Sequence, residues 1–234
     1  MPLGTFVGEL TDWRTVFAIT AALGAVALAA VLVLLPGMAP TSALDLSELP
    51  NLLRIRELRV VLVVTAVIVC AHFAAYTYIS PYLRDEVGIP PQWISTLLLL
   101  YGSASVVGNF VAGAGAARAL RGTLLAAICT VCASVLFLLV VGRAPVPAIG
   151  LLTVWGFAFP ALPLCLQTLV LRSAPHAPEA ATSVFICSFN VSIALGAFVG
   201  GQVVDAAGTP TAMAVGAALA AVAALVLAVF HPRR

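Results

Sequence analysis

Lysine is absent from this chain, and charge of either sign is scarce: eleven basic and nine acidic residues make up 9% of 234, against 62% apolar. Soluble domains carry about a quarter charged residues, so a water-covered surface is excluded and the chain reads as an integral membrane protein. The missing lysine rules out a retinal Schiff base. All eleven basic residues are Arg and none form a dense cluster, so nucleic acid is not an expected partner. No HExxH or paired aspartates occur, and Gly102-Ser-Ala-Ser105 lacks the GxSG order of membrane serine proteases. The five cysteines all lie in apolar runs. Cys129-Thr-Val-Cys132 has no second pair or nearby His pair to complete a redox or zinc site. These thiols read as small buried side chains, and no cofactor is expected. A signal peptide is lacking too: Met1 to Leu35 has no basic start, and its apolar run is too long.

What the chain does have is long sequence free of charge. Asp, Glu and Arg leave seven such runs: 15–44, 60–83, 87–117, 122–142, 144–171, 180–204 and 206–232. A membrane-crossing helix needs about 20 apolar residues, and backbone in lipid must satisfy its own hydrogen bonds. Each run therefore predicts one helix, near 14–35, 59–80, 93–115, 123–142, 146–171, 179–204 and 210–230. The expected fold is an all-α membrane protein with seven transmembrane helices.

Orientation follows from the arginines, which collect on the cytoplasmic side of membrane proteins. With the C-terminus cytoplasmic, the inside holds Arg54, Arg56, Arg59, Arg118, Arg121, Arg172, Arg233 and Arg234, and the outside only Arg14, Arg84 and Arg143. Pro2 to Gly8 reads as the end of a preceding apolar helix, and Glu9 to Arg14 as a short outside loop. The organisation expected is a helix stump over 1–8, a first full span over 9–35, a cytoplasmic linker over 36–58 and a six-helix block over 59–234. The linker carries Pro36, Pro40 and Pro50, with a short amphipathic helix around Leu49 to Leu58.

Polarity is unevenly shared among these helices. The first, fourth and seventh hold only Thr, Ser or Cys as polar side chains. The second has His72, Tyr76 and Tyr78; the third Tyr101, Ser103, Ser105 and Asn109; the fifth Trp155 and Gln167; the sixth Asn190 and Ser192. Every third helix is thus apolar, as in a carrier half built from nested three-helix repeats. Thr65, His72 and Tyr76 fall within about 40° of one another on a helix. Polar groups at membrane depth are costly unless they face protein or water, so this stripe is a candidate solute site. Gln167 and Asn190 offer amides that both donate and accept, suited to a neutral polyhydroxyl or amide solute. Trp155 and Phe159, four apart, would stack on a ring-bearing solute or on each other. Pro160 and Pro163 predict a bent or broken fifth helix beside the solute path. Gly196, Gly200 and Gly201 are expected to permit close helix contact.

Two stretches carry a family resemblance. Phe189-Asn-Val-Ser-Ile-Ala-Leu-Gly through Val204-Asp-Ala-Ala-Gly208 resembles the eleventh-helix signature of major facilitator carriers in the twelve-span drug:proton antiporter branch. Ala71-His-Phe-Ala-Ala-Tyr-Thr-Tyr-Ile-Ser-Pro81 is similar to the seventh helix of that branch, especially its sugar-efflux and chloramphenicol-efflux members. Trp155-Gly-Phe, Leu166-Gln-Thr and Ala174-Pro175 fit its tenth helix. The resemblance implies that the chain holds helices six to twelve of such a transporter, with the first five as missing partners. It also implies proton-coupled efflux of a small organic solute, a drug or a sugar, across the inner (plasma) membrane. Gly108-Asn109 through Gly113, Arg118 and Arg121 is similar to the family's cytoplasmic gating motif, with Ala117 where an acid is usual. Ser192 stands where the family often has Gly. Alternating access rocks one half against the other around a midplane site, so half a carrier is expected not to transport alone. No Asp or Glu lies deep in a helix; the coupling acid is expected in the missing helices, with His72 as the other option. The other classes are a seven-helix channel or receptor and an intramembrane hydrolase pairing Ser103 or Ser105 with His72.

Overall fold

A computed structural model describes residues 12–34, 49–141 and 144–230. The expected stump over 1–8, most of the linker, and Arg143, Arg233 and Arg234 lie outside the described residues. Among those residues there is no strand. The chain divides into two units, Met1–Asp45 and Leu46–Arg234. The first contains helix α1, Trp13–Leu34, apolar along its length apart from its first turns and from Thr20, whose hydroxyl donates to the Val16 carbonyl at 2.8 Å.

The second unit is a helical bundle whose interruptions fall at prolines and at one turn. A short α2, Leu49–Leu52, leads through a turn into α3, Arg56–Tyr76. A longer amphipathic helix was expected here, but the turn at Leu53 and Arg54 ends it early. The second expected span runs unbroken to residue 80 in the sequence reading. In the structure it pauses after Tyr76 and restarts as α4, Ile79–Asp85. Pro81 lacks the N–H that would have bonded the Thr77 carbonyl, so the backbone tightens there, with Tyr78 N donating to Ala75 O at 3.2 Å.

Helix α5, Pro91–Val141, is 51 residues long, which as a straight helix would be about 75 Å, more than twice the hydrocarbon thickness. It is not straight. Ala119 has φ −149° and ψ 75°, outside the helical region. Residues on either side of it meet: Gly108 and Thr130, about 33 Å apart on a straight helix, line one cavity of about 310 Å³ together with Gly115 and Thr123. The run 91–118 therefore folds back on 120–141. Two separate helices were expected here. The segment around the turn, Ala116-Ala-Arg-Ala-Leu-Arg, has no proline and consists of good helix formers, so helical structure continues up to Ala119 from both sides.

The expected fifth span is split by its prolines into α6, Pro145–Ala158, and α7, Ala161–Ser173. Helices α8, Pro178–Ala207, and α9, Thr209–Val229, follow, joined through Gly208 at φ 84°. Six helical stretches among the described residues are long and apolar enough to cross a membrane.

Helix α3 is the hub, and small residues let its neighbours close on it. A Cβ on Gly196 or Gly200 of α8 would lie 2.6 Å from the Cys70 or Ala74 carbonyl oxygen, and one on Gly216 of α9 2.8 Å from that of Ala71. Close contact was expected of the α8 glycines; Gly216 adds the same device on α9. Tyr78 Oη donates to Ala197 O at 2.9 Å, clamping the α3–α8 contact at its far end. The remaining face of α3, bearing His72 and Tyr76, is left to α5, α6 and α7. At one end of the bundle Glu57, Arg121, Arg172 and Phe230 border a second cavity of about 310 Å³, with Arg56 and Arg59 close by. Arg84 belongs to α4, at the other end of the α3–α4 span.

Candidate functional site

The site begins with a missing hydrogen. Pro160 has no N–H, so the carbonyl four residues earlier, on Gly156, loses its helical partner. A buried carbonyl needs a substitute, and Ser105 of α5 supplies one: its Oγ lies 2.8 Å from Gly156 O and 3.0 Å from Tyr101 O. That bond is possible only because α5 and α6 nearly touch. A Cβ on Gly156 would lie 2.5 Å from Tyr101 O, and one on Gly108 would collide with the Phe157 backbone. Pro163 frees the Phe159 carbonyl in the same way, and the Leu162 N–H takes it at 3.0 Å. Phe159 and Pro160 keep helical φ/ψ, so the chain passes through this point as an interrupted helix, and a space lies beside it between α7, α3 and α5.

This space has a volume of about 550 Å³, within the range of small-molecule pockets. Helix α3 contributes His72, Phe73 and Tyr76; α5 contributes Tyr101, Ser105 and Asn109; the α6–α7 break and α7 contribute Phe159, Pro163 and Gln167 among others. The α5 residues recur every fourth position, so they form one stripe of that helix.

His72 is 2% exposed and sits at the centre of an aromatic stack. Its ring lies 3.8 Å from that of Phe159 at an interplanar angle of 18°, and 5.2 Å from that of Tyr76 at 17°. Trp155, fully buried, meets it edge-on at 5.5 Å. The Trp155 indole N–H donates to His72 Nδ1 at 3.2 Å. An indole nitrogen can only donate, so Nδ1 accepts, which assigns the neutral tautomer with its proton on Nε2. Tyr76 in turn is tilted against Tyr101 at 4.9 Å. The Tyr101 hydroxyl is buried and has no hydrogen-bond partner among the described residues.

Of the six side chains expected to line a solute site, four border the space: His72, Tyr76, Phe159 and Gln167. Trp155 stands behind His72 and orients it, and Phe159 stacks on His72 rather than on Trp155. Asn190 is not brought there. It is exposed on α8, and its Nδ2 donates to Ile186 O of its own helix at 2.8 Å. The reason is angular: the α8 face that packs on α3 is set by Gly196, about 120° around the helix from Asn190. Of the small residues sharing the Asn190 face, Ser183, Cys187 and Ala194 are likewise exposed, whereas Ala197 is half-buried and its carbonyl accepts from Tyr78 Oη.

The expected gating residues divide by position. Asn109 borders the aromatic space. Gly108 is a packing glycine against α6, whereas a Cβ on Gly113 would meet nothing within 4 Å. Arg118 is exposed beside the Ala119 turn. Arg121 donates to the Leu227 and Phe230 carbonyls, the end of α9, where a cation also complements the helix dipole. Neither Ser103 nor Ser105 is bonded to His72: Ser103 Oγ donates to Leu99 O at 2.9 Å and Ser105 to the carbonyls above. No serine–histidine dyad exists there. Cys132 Sγ lies 3.4 Å from Ala217 O, a helix contact.

Tyr101, Ser105 and Phe73 are wall residues that the sequence reading did not assign to the site. The signal for the first two was available, since Tyr101, Ser105 and Asn109 recur at a spacing of four. The model of the family described as Major Facilitator Superfamily matches residues 1–186, a stretch that takes in every residue bordering this space.

Proposed function

Since the chain belongs to the Major Facilitator Superfamily and is a membrane transporter, we propose that the aromatic space between α3, α5 and α7 is its solute site. The observation that carries this is a roomy, largely apolar cavity with a few convergent polar groups, set among broken helices in a membrane bundle. We propose further that the helical hairpin 91–141 makes two crossings, which with the other five membrane-length helices gives seven. The bundle end bearing Arg56, Arg59, Arg121 and Arg172 is then cytoplasmic. The block 59–234 acts as one rocking half of a proton-coupled exporter in the drug:proton antiporter branch.

No Asp or Glu among the described residues borders the space, and His72 is committed to Trp155 in its neutral form. The proton is therefore carried by a carboxylate of the helices that face this block across the pathway. Everted vesicles from cells producing this chain together with the helices that complete the carrier test this; the chain alone should not transport. Respiration acidifies their lumen, and a transported solute should release quinacrine quenching as protons leave, in a manner lost on His72→Ala substitution. Solute accumulation that leaves the pH gradient untouched, and is insensitive to collapsing it, contradicts proton exchange.

A further inference from the structure

Resting on the reading of the aromatic space as the solute site, we infer that the solute is neutral and mainly apolar, and that it presents a hydrogen-bond acceptor such as a ketone or amide oxygen to the Tyr101 hydroxyl and the His72 Nε2–H.

Charge comes first. Among the described residues no Asp, Glu, Arg or Lys borders the space, so an ion seated against this wall would leave water with no counter-charge from the wall itself, which is costly in an apolar site. A cation could still be held by the faces of aromatic rings. Several of those faces are already covered: His72 lies flat against Phe159 and Tyr76, and Tyr76 is tilted on Tyr101. Phe73 meets His72 and Phe159 only in T-shaped contacts, and a phenyl face without a counter-charge holds a cation weakly. Trp155 is fully buried behind these rings.

Hydrogen-bonding character decides the rest. The Tyr101 side chain is 5% exposed, and its hydroxyl is the buried side-chain polar atom left without a partner among the described residues. Stranding such a group is unfavourable, and an acceptor on the ligand removes that defect. Because Nδ1 of His72 is occupied by Trp155, only Nε2–H remains to it, and that is a second donor. The Ser105 hydroxyl is already committed to Gly156. The amides of Gln167 on α7 and Asn109 on α5 add two acceptors, and the rest of the wall is aromatic ring, proline and leucine. A polyhydroxyl solute brings many donors of its own, and this wall offers too few acceptors for them.

The test pairs a ligand change with a residue change. The probes are 2-acetylnaphthalene, a neutral ring system with one carbonyl, its isostere 2-isopropenylnaphthalene, which lacks the acceptor, and a naphthyl-trimethylammonium cation. Binding to the 234-residue chain in detergent is read by quenching of Trp155, with Trp13 and Trp93 replaced by Phe. The expected result is that the ketone binds about three- to tenfold tighter than the isostere. That advantage disappears in Tyr101→Phe, while the isostere binds both proteins equally and the cation binds more weakly than the ketone. Equal affinity of ketone and isostere for the unsubstituted protein overturns the acceptor assignment, and this arm needs no Tyr101 variant to fold. A cation that binds as tightly as the ketone overturns the neutral class. In both cases the solute-site reading survives, because a ligand still quenches Trp155. If no probe quenches Trp155 beyond what micelles containing free indole show, the solute-site reading itself fails, and with it this inference.

Discussion

At the scale of single residues, the site depends on a proline far more than on any charged group. Pro160 frees a carbonyl, Ser105 takes it, and the crossing of α5 over α6 is fixed by that bond. Ser105→Ala leaves the Gly156 carbonyl unpaired in a buried position, which costs about 1–3 kcal/mol. The expected outcome is a lower thermal unfolding midpoint in detergent, whereas Ser103→Ala, on the exposed side of the same helix, leaves it unchanged. Tyr101→Phe should behave in the opposite sense. It removes an unpartnered hydroxyl while keeping the ring, so the solute-free protein should be as stable as before or more so by up to about 1 kcal/mol, measured by the same melt. A marked loss of stability would show that the hydroxyl has a structural partner.

Legibility in the sequence differed between these residues for a physical reason. His72 stands out in Val60 to Leu83 as an ionisable ring in an apolar run, and a ring like that at membrane depth must face protein or water. Asn190 carries the same kind of signal, yet faces away. Burial of a polar group reports that it needs a partner, and the asparagine amide finds one in its own helix. Whether a polar side chain turns to a neighbour depends on where the tightest glycines of its helix lie, and that is a property of the pair of helices rather than of either alone.

Elements were more legible than their ends. Charge-free run length located every membrane-length helix in the described residues. The breaks at 77–78 and 159–160 follow from Pro81 and Pro160, although only the second was expected. Run length also separated 93–115 from 123–142, because Arg118 and Arg121 interrupt it. The backbone does not stop at those arginines; it turns at Ala119 between them. Contacts between elements are set by glycine, which gives a paired prediction. Gly200→Ala puts a Cβ 2.6 Å from the Ala74 carbonyl and forces α8 off α3, at a cost of about 1–3 kcal/mol. Gly150→Ala, with nothing within 4 Å, gains helix propensity of about 0.5 kcal/mol or more. The two melts should shift in opposite directions. If both variants melt alike, the close α3–α8 approach is not what holds the bundle.

At the scale of the molecule, the arginines and the aromatic space make one statement about direction. If 91–141 crosses twice, Ala119 lies at the same membrane face as Arg56, Arg59 and Arg172. A thiol at Ala119→Cys, in a background without the natural cysteines, should then react with an impermeant maleimide only from the cytoplasmic side. Labelling from the other side would invert the orientation, and labelling from neither would deny the turn its place at the surface.

The central claim is that solute enters between α3, α5 and α7. Thiols placed at Asn109 and Gln167, on two of the walls, test it when compared with one at Phe198, an exposed ring of α8 outside the space. Each single-cysteine protein is reacted with a small water-soluble maleimide in proteoliposomes, with and without a solute that binds. Asn109→Cys and Gln167→Cys should react and be slowed several-fold by the solute, while Phe198→Cys should show no such protection. Wall thiols that never react, or that react at a rate indifferent to every solute, would contradict the account.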